Sequence, residues 1–357
     1  MNFHIVPLSY KKYSLLLIAL LFSIAIATWI LEAYFGTLYG DLTRIGYLDE
    51  GDFGWKMQQP PVPAALLNNH SPAEADILVI GDSFSMPLIW QSRLVSAGYK
   101  SSTLNWSAFK PCGLGLNLGE VVRMAGFKGR YIVLESIEHG FQDRANRTCE
   151  ITGGIKGRAN DAAPPPTAPP AYAQKWVGKE PLGGSWVINA LFTKIKLTYL
   201  FNSATAYMEF GSTRVIPIDG CKLFSNRLCN YGLFYAHDFQ KKTFGSTDNL
   251  RAINRELRKV GITAVWLVVP DKASIYLGYG KQNINPYVDI WNELAQHTEL
   301  VAPNLGEAFM QKSRLIKDFY KPNDVHLSTN GYLYLGDLMT DLIKHLENDA
   351  QPHGEMH

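Results

Sequence analysis

Three regimes of hydrophobic patterning follow one another along the chain. The first is Ser14 to Leu31, an unbroken run of apolar and small residues with Tyr13, Trp29, Tyr34 and Phe35 at its edges. A helix needs about 20 such residues to cross the hydrocarbon of a bilayer. Lys11 and Lys12 precede the run and no basic cluster closely follows it, which places the short N-terminus in the cytoplasm. Residues 1–12 then form a cytoplasmic N-terminus and residues 13–35 a transmembrane anchor. A removed signal peptide is the alternative, because Ala25-Ile26-Ala27 mimics a small-x-small cleavage site. The apolar character continues through Trp29-Ile30-Leu31, which favours the anchor.

The second regime, residues 74–348, alternates short aliphatic runs with helical spacing. Ile77 to Ile80 reads as a fully buried strand. Pro87 to Ala97 predicts a helix that Gly98 terminates. Thr103–Trp106 predicts a second strand and Arg130–Glu135 a third. Strand, helix, strand at this spacing implies a parallel sheet with right-handed crossovers. Ser246 or Thr247 caps a helix through Leu250, Ile253, Leu257 and Val260, with Gly261 at its end. Ile262–Val269 reads as a buried strand, Tyr287–His297 as a helix, and Leu300-Val301 as a short strand. Thr329 caps a last helix through Tyr332, Leu335, Leu338, Met339, Leu342 and Ile343. The fold class is α/β with a central parallel sheet.

The third regime interrupts the second. From about 150 to 245 the periodicity degrades into an aromatic-rich insertion, and its stretch 161–173 is rich in proline and alanine. Aromatic side chains stack on sugar rings, although more often they form core. Residues 36–73 are a juxtamembrane connector, with Gln58-Gln59-Pro60-Pro61-Val62-Pro63 excluding regular structure. It reads as a spacer. Residues 349–357 are a polar tail.

Composition narrows the class. With 46% hydrophobic and 18% charged residues in 357, the chain is globular rather than disordered. A formal net charge of +2 with no dense basic run gives no case for nucleic acid. Cys112, Cys149, Cys221 and Cys229 suit an exported domain as disulfides, and four cysteines allow three pairings. Cys221 with Cys229 is the natural local staple, leaving Cys112 with Cys149. No zinc-like spacing occurs, so no metal is expected, and no cofactor.

Candidate chemistry sits at two places. Gly81-Asp82-Ser83 follows the first strand, where open α/β sheets place their ligands. Asp324-Val325-His326 lies just before the last helix. A serine becomes a nucleophile when a base takes its proton, and an imidazole held by a carboxylate is such a base. Taken singly, the first is an ordinary turn and the second an ordinary loop. Gly81-Asp82-Ser83 and Asp324-Val325-His326 together resemble the first and last blocks of the SGNH (GDSL-like) hydrolase superfamily.

That resemblance implies a three-layer fold, with Ser83 as nucleophile, His326 as general base and Asp324 as its orienting partner. It also implies oxyanion donors. The candidates are the N–H of Ser83, Gly113 in Pro111-Cys112-Gly113, and Asn105. The family's Gly-x-Asn-Asp has no counterpart; the third strand ends in Glu135-Ser136-Ile137-Glu138-His139. Anchor plus exported domain is similar to the alginate-type O-acetyltransferases. So is Val268-Val269-Pro270-Asp271-Lys272-Ala273-Ser274-Ile275-Tyr276. Their best-known members carry Asp-x-His ahead of the serine, the reverse of the order here.

The implied protein is a single-pass inner-membrane enzyme with its domain in the periplasm or outside the cell. It would place an acyl group, most simply acetyl, on a polysaccharide hydroxyl, taking it from a donor through a membrane-bound acyltransferase partner. A polysaccharide O-acetyl esterase with the same residues is the alternative. An inactive binding or assembly subunit is the third reading.

Overall fold

Three aliphatic runs and one polar one assemble into a parallel sheet in the computed structural model. It describes residues 10–35, 40–109, 114–152, 184–202, 206–240, 246–278 and 289–350. The strands are β1 (Ile77–Gly81), β2 (Ser101–Asn105), β4 (Tyr131–Ile137) and β9 (Thr263–Val269), in the order β2-β1-β4-β9. Ile77 lies opposite both Ser101 and Tyr131, and Tyr131 opposite Thr263. All five residues of β1 are buried, as a sheet covered on both faces requires. Gly81 and Asn105 are in register at the same strand end.

Helices connect these strands. α4 (Gln91–Ser96) leads from β1 to β2 and α5 (Leu118–Met124) from β2 to β4, while α6 (Glu138–Asn146) and α8 (Asp248–Lys259) precede β9. β3 (Leu114–Gly115) and β5 (Thr148–Cys149) form a small parallel pair. Beyond β9 come α9 (Lys272–Leu277), α10 (Ile290–Ala295), α11 (Leu305–Lys312) and α12 (Thr329–Ala350). The helix expected from Pro87 begins only at Gln91, because Leu88 is left-handed (φ 61°) and Pro87 to Trp90 form turns. The strand expected at Leu300-Val301 is reduced to a single parallel bridge between Val301 and Val265.

The stretch without periodicity has order of its own. α7 (Gly184–Phe201) is followed by an antiparallel sheet of β6 (Met208–Phe210), β7 (Thr213–Pro217) and β8 (Tyr231–Tyr235). The Cys221–Cys229 disulfide closes the loop between β7 and β8. Cys112, the other expected partner of Cys149, lies outside the described residues, as do Gly113 and the proline-rich 161–173.

The connector is not a spacer. Its α2 (Asp41–Gly46), α3 (Glu50–Phe53) and the turn between them supply Leu42, Phe53 and Leu48 to a second core, with Leu197, Leu200, Phe210, Val215 and Leu233. The backbone N–H groups of Leu42 and Thr43 both donate to Asn323 O, at 3.1 and 3.4 Å. Gly40 lies so close that a Cβ there would stand 2.1 Å from that same oxygen. The connector therefore braces the loop that carries Asp324 and His326. Ahead of it, α1 (Tyr10–Phe35) is long and apolar enough to span a membrane.

Candidate active site

The turn after β1 is held by a residue from β4. Glu135 is fully buried, and its Oε2 accepts from the Asp82 backbone N–H at 2.9 Å and from Ser85 Oγ at 2.7 Å. A Cβ on Gly81 would lie 2.4 Å from that oxygen, so only glycine lets the strand end approach it. Asp82 in turn accepts the Phe84 N–H at 3.1 Å through Oδ1 and the Ile137 N–H at 3.0 Å through Oδ2. Every neighbour of Ser83 is thus fixed, while Ser83 itself is exposed.

Burial pushes Glu135 well above its ordinary carboxyl range, and the Asp82 carboxylate beside it adds to the rise. Oε2 accepts both bonds, and Oε1 is buried with no hydrogen-bond partner.

The far end of the chain delivers an imidazole to Ser83. A tight loop between Tyr320 and Leu327, themselves an antiparallel bridge, turns on Lys321 N–H to His326 O at 3.1 Å. His326 Nε2 lies 2.8 Å from Ser83 Oγ, and Nδ1 lies 2.7 Å from Asp324 Oδ1. The same Oδ1 accepts the His326 backbone N–H at 3.1 Å. With Nδ1–H donated to the carboxylate, Nε2 is left as the acceptor facing the serine hydroxyl. The Phe84 ring packs 4.9 Å from the imidazole and limits its tilt.

Asp324 is 5% exposed. Burial opposes its ionisation, but Lys321, whose Nζ is 3.7 Å from Oδ2, and His326 outweigh it and hold the carboxyl below its usual range. Asp41 of α2 brings a second carboxylate to 3.6 Å from His326 Nδ1.

Lys272 supports the loop from beneath. Its Nζ donates to the carbonyls of Lys321, Pro322 and Asp324 at 2.7, 2.9 and 3.2 Å, with the Phe224 and Phe234 rings 5.1 and 5.8 Å away. Burial pushes its pKa down to about 7, against the pull of Asp324, Asp238 and Asp318. The disulfide loop adds a further brace: the Ser225 N–H donates to Asp318 Oδ1 at 2.8 Å.

Ser83, His326 and Asp324 are thus brought together from opposite ends of the chain. Asn105 lies at the neighbouring strand end, where its Oδ1 accepts the Ser107 N–H at 2.9 Å. Four contributors had no such role assigned from the sequence: Asp41 and the Asn323 carbonyl, and Glu135 and Lys272, which lie in two of the stretches singled out above. A charged residue closing a buried strand (Glu135, and Lys272 just past β9) is the one sequence signal that could have found two of them.

Among the described residues, two groups have ligand types and proximity suited to a cation: Asp41, Asp324 and His326, and separately His139, Asp238 and Asp271, each within 4.8 Å. Their carboxylates already serve imidazoles: Asp324 as above, and Asp271 Oδ1 at 2.7 Å from His139 Nδ1. No family model, no curated protein and no solved structure matches the chain. What the fold and site define is a mixed α/β protein with a serine, an imidazole and a carboxylate in series at the C-terminal edge of a parallel sheet.

Proposed function

We propose that the chain is an O-acyltransferase acting through an acyl-serine, with acetyl as the group moved and a polysaccharide hydroxyl as acceptor. One observation carries this reading: the unbroken series Ser83 Oγ, His326 Nε2, His326 Nδ1, Asp324 Oδ1 at hydrogen-bonding distances. In the first step Ser83 Oγ attacks the acyl carbonyl of the donor while His326 takes its proton. The proton then passes to the leaving group and the acyl–Ser83 ester remains. An acceptor hydroxyl next gives its proton to His326 and attacks that ester, and Ser83 recovers its proton. The backbone N–H of Ser83 is one donor to the oxyanion, and Asn105 stands close enough in register to be examined as a second.

The resemblance to SGNH proteins and to the alginate-type O-acetyltransferases supports the acyl class. The anchor and the disulfide support an exported, membrane-attached setting, with the domain on the periplasmic or outer side of the inner membrane and a membrane-bound partner supplying the acyl group. An acetyl esterase is the second reading, and the exposure of Ser83 favours it, because water reaches the same ester.

The test uses the full chain, wild type and Ser83→Ala, with a small acetyl ester. Acetate release and acetyl transfer to an added oligosaccharide are measured together. Ser83-dependent transfer exceeding release supports the transferase, and release alone supports the esterase. Equal behaviour of the two proteins in both assays, alongside unchanged polysaccharide acetylation in cells carrying Ser83→Ala, would establish a binding or assembly role instead.

A further inference from the structure

α7 has two apolar faces, and the fold uses one. Val187, Ala190, Leu197 and Leu200 are buried against the domain. On the opposite side Ile188, Leu191, Phe192, Ile195 and Tyr199 fall at spacings of three and four, one continuous stripe. Phe192 is 59% exposed, Ile195 62% and Tyr199 66%. Asn189, Lys196 and Thr198 lie along its margins and are also exposed. Lys194, at the edge of the buried face, reaches back to Asp49 at 3.2 Å. Lys194 and Lys196 interrupt the apolar run of α7, and α1 is the one described helix apolar enough to span a bilayer.

What covers the stripe is indicated by its neighbour. α7 packs against α1, whose large apolar side chains are exposed all round its circumference. The medium that covers α1 is therefore in reach of α7. A helix with one face on a folded domain, an opposite face of large apolar side chains and lysine at its margin suits the boundary between headgroups and acyl chains. Trp186, whose Nε1 donates to Arg44 O at 3.0 Å, sits at the start of the helix, and indole is a residue of that boundary.

We propose that α7 is a lipid-contacting helix: its stripe from Ile188 to Tyr199 lies in the bilayer surface beside α1, so the domain docks on the membrane by this face. The inference rests on α1 being the membrane anchor. It commits to lipid; a protein partner on the same stripe is an alternative that the experiment separates.

The test uses the full chain in phosphatidylcholine vesicles. Phe192→Cys and Ile195→Cys are labelled one at a time with an environment-sensitive fluorophore, since no described cysteine is free, and the unsubstituted chain gives the labelling background. Ala25→Cys in α1 and Met124→Cys, a 75% exposed position on α5, serve as references. Each labelled protein must keep the wild-type melting transition. Quenching is read with a doxyl group high on the acyl chain and with aqueous iodide.

Quenching by doxyl at positions 192 and 195, with blue-shifted emission and protection from iodide, is the expected result, Met124→Cys behaving oppositely. Iodide quenching at 192 and 195 with lipid quenching at 25 overturns the inference and leaves the anchor standing. Iodide quenching at 25 as well removes the anchor reading and the inference with it. Protection from both quenchers at 192 and 195 means a protein covers the stripe, which also overturns the proposal.

Discussion

Glu135 Oε2 receives the backbone N–H of Asp82 at 2.9 Å, so the strand next to β1 sets the turn that presents Ser83. The carboxyl group is buried and close to a carboxylate, and both push its pKa well above the ordinary carboxyl range. Its proton makes a pH signature. An acid whose pKa is raised on folding stabilises the native state below the ordinary value of 4.5, and that contribution is lost as pH rises toward the folded value. Wild type should lose melting temperature from about pH 4.5 upward relative to Glu135→Gln, which keeps the two acceptor contacts and does not titrate. Glu135→Leu leaves the Asp82 N–H and Ser85 Oγ without an acceptor and should cost about 2–3 kcal/mol, read by denaturant unfolding.

Lys272 gives the opposite sign. Its pKa falls from 10.5 to about 7 on folding, so between those values the unfolded chain binds the extra proton. Stability contributed by this site therefore rises with pH across that window and is lowest below pH 7. Lys272→Met should flatten the rise, measured as melting temperature between pH 7 and 10. The same variant leaves three carbonyls of the Lys321–Asp324 segment without their donor. We expect kcat to fall with KM little changed, because the loop orients His326 rather than the substrate.

The two carboxylates near His326 should separate cleanly. Asp324→Asn removes the partner that fixes the imidazole tautomer and should lower acyl-serine formation on the order of 10⁴-fold. Asp41 is more than a third exposed and 3.6 Å away, so Asp41→Asn should cost less than about fivefold, the effect of an exposed ion pair. Burst kinetics with a chromogenic acetyl ester would read both.

Ser83→Ala should abolish covalent labelling by a fluorophosphonate and lower acetyl release at least about a thousandfold. Labelling that persisted at Ser85, the other serine of the turn, would reassign the nucleophile. Ser85 is fully buried and donates to Glu135, so we expect none.

How much of this was written locally can be judged element by element. β1, β4 and β9 are legible because a strand covered on both faces must be a continuous aliphatic run. β2 is fainter, since Ser101, Ser102 and Thr103 are polar and nonetheless buried. α7 left no readable period because both of its faces are apolar, so the alternation that marks a half-buried helix is missing. Leu88 shortened α4 through a left-handed backbone that leucine does not announce. Ser83, Asp324 and His326 were legible as two short motifs. Their supports were not: Gly40, Glu50 and Lys272 act on the loop through contacts with Asn323, Lys321 and Pro322, far away in sequence. Pattern reading sees neighbours along the chain, and these contacts are between strangers.

The bracing of the Asn323 loop by the connector also sets a leash. Phe35 closes α1, and Asp41, six residues on, stands 3.6 Å from the imidazole. Six extended residues reach about 20 Å at most. In an anchored chain Ser83 therefore stays within a shallow layer above the bilayer, and under the proposed function a glycan strand would have to come down to it. On that reading, polymer still emerging at the membrane would be within range and polymer already assembled farther out beyond it.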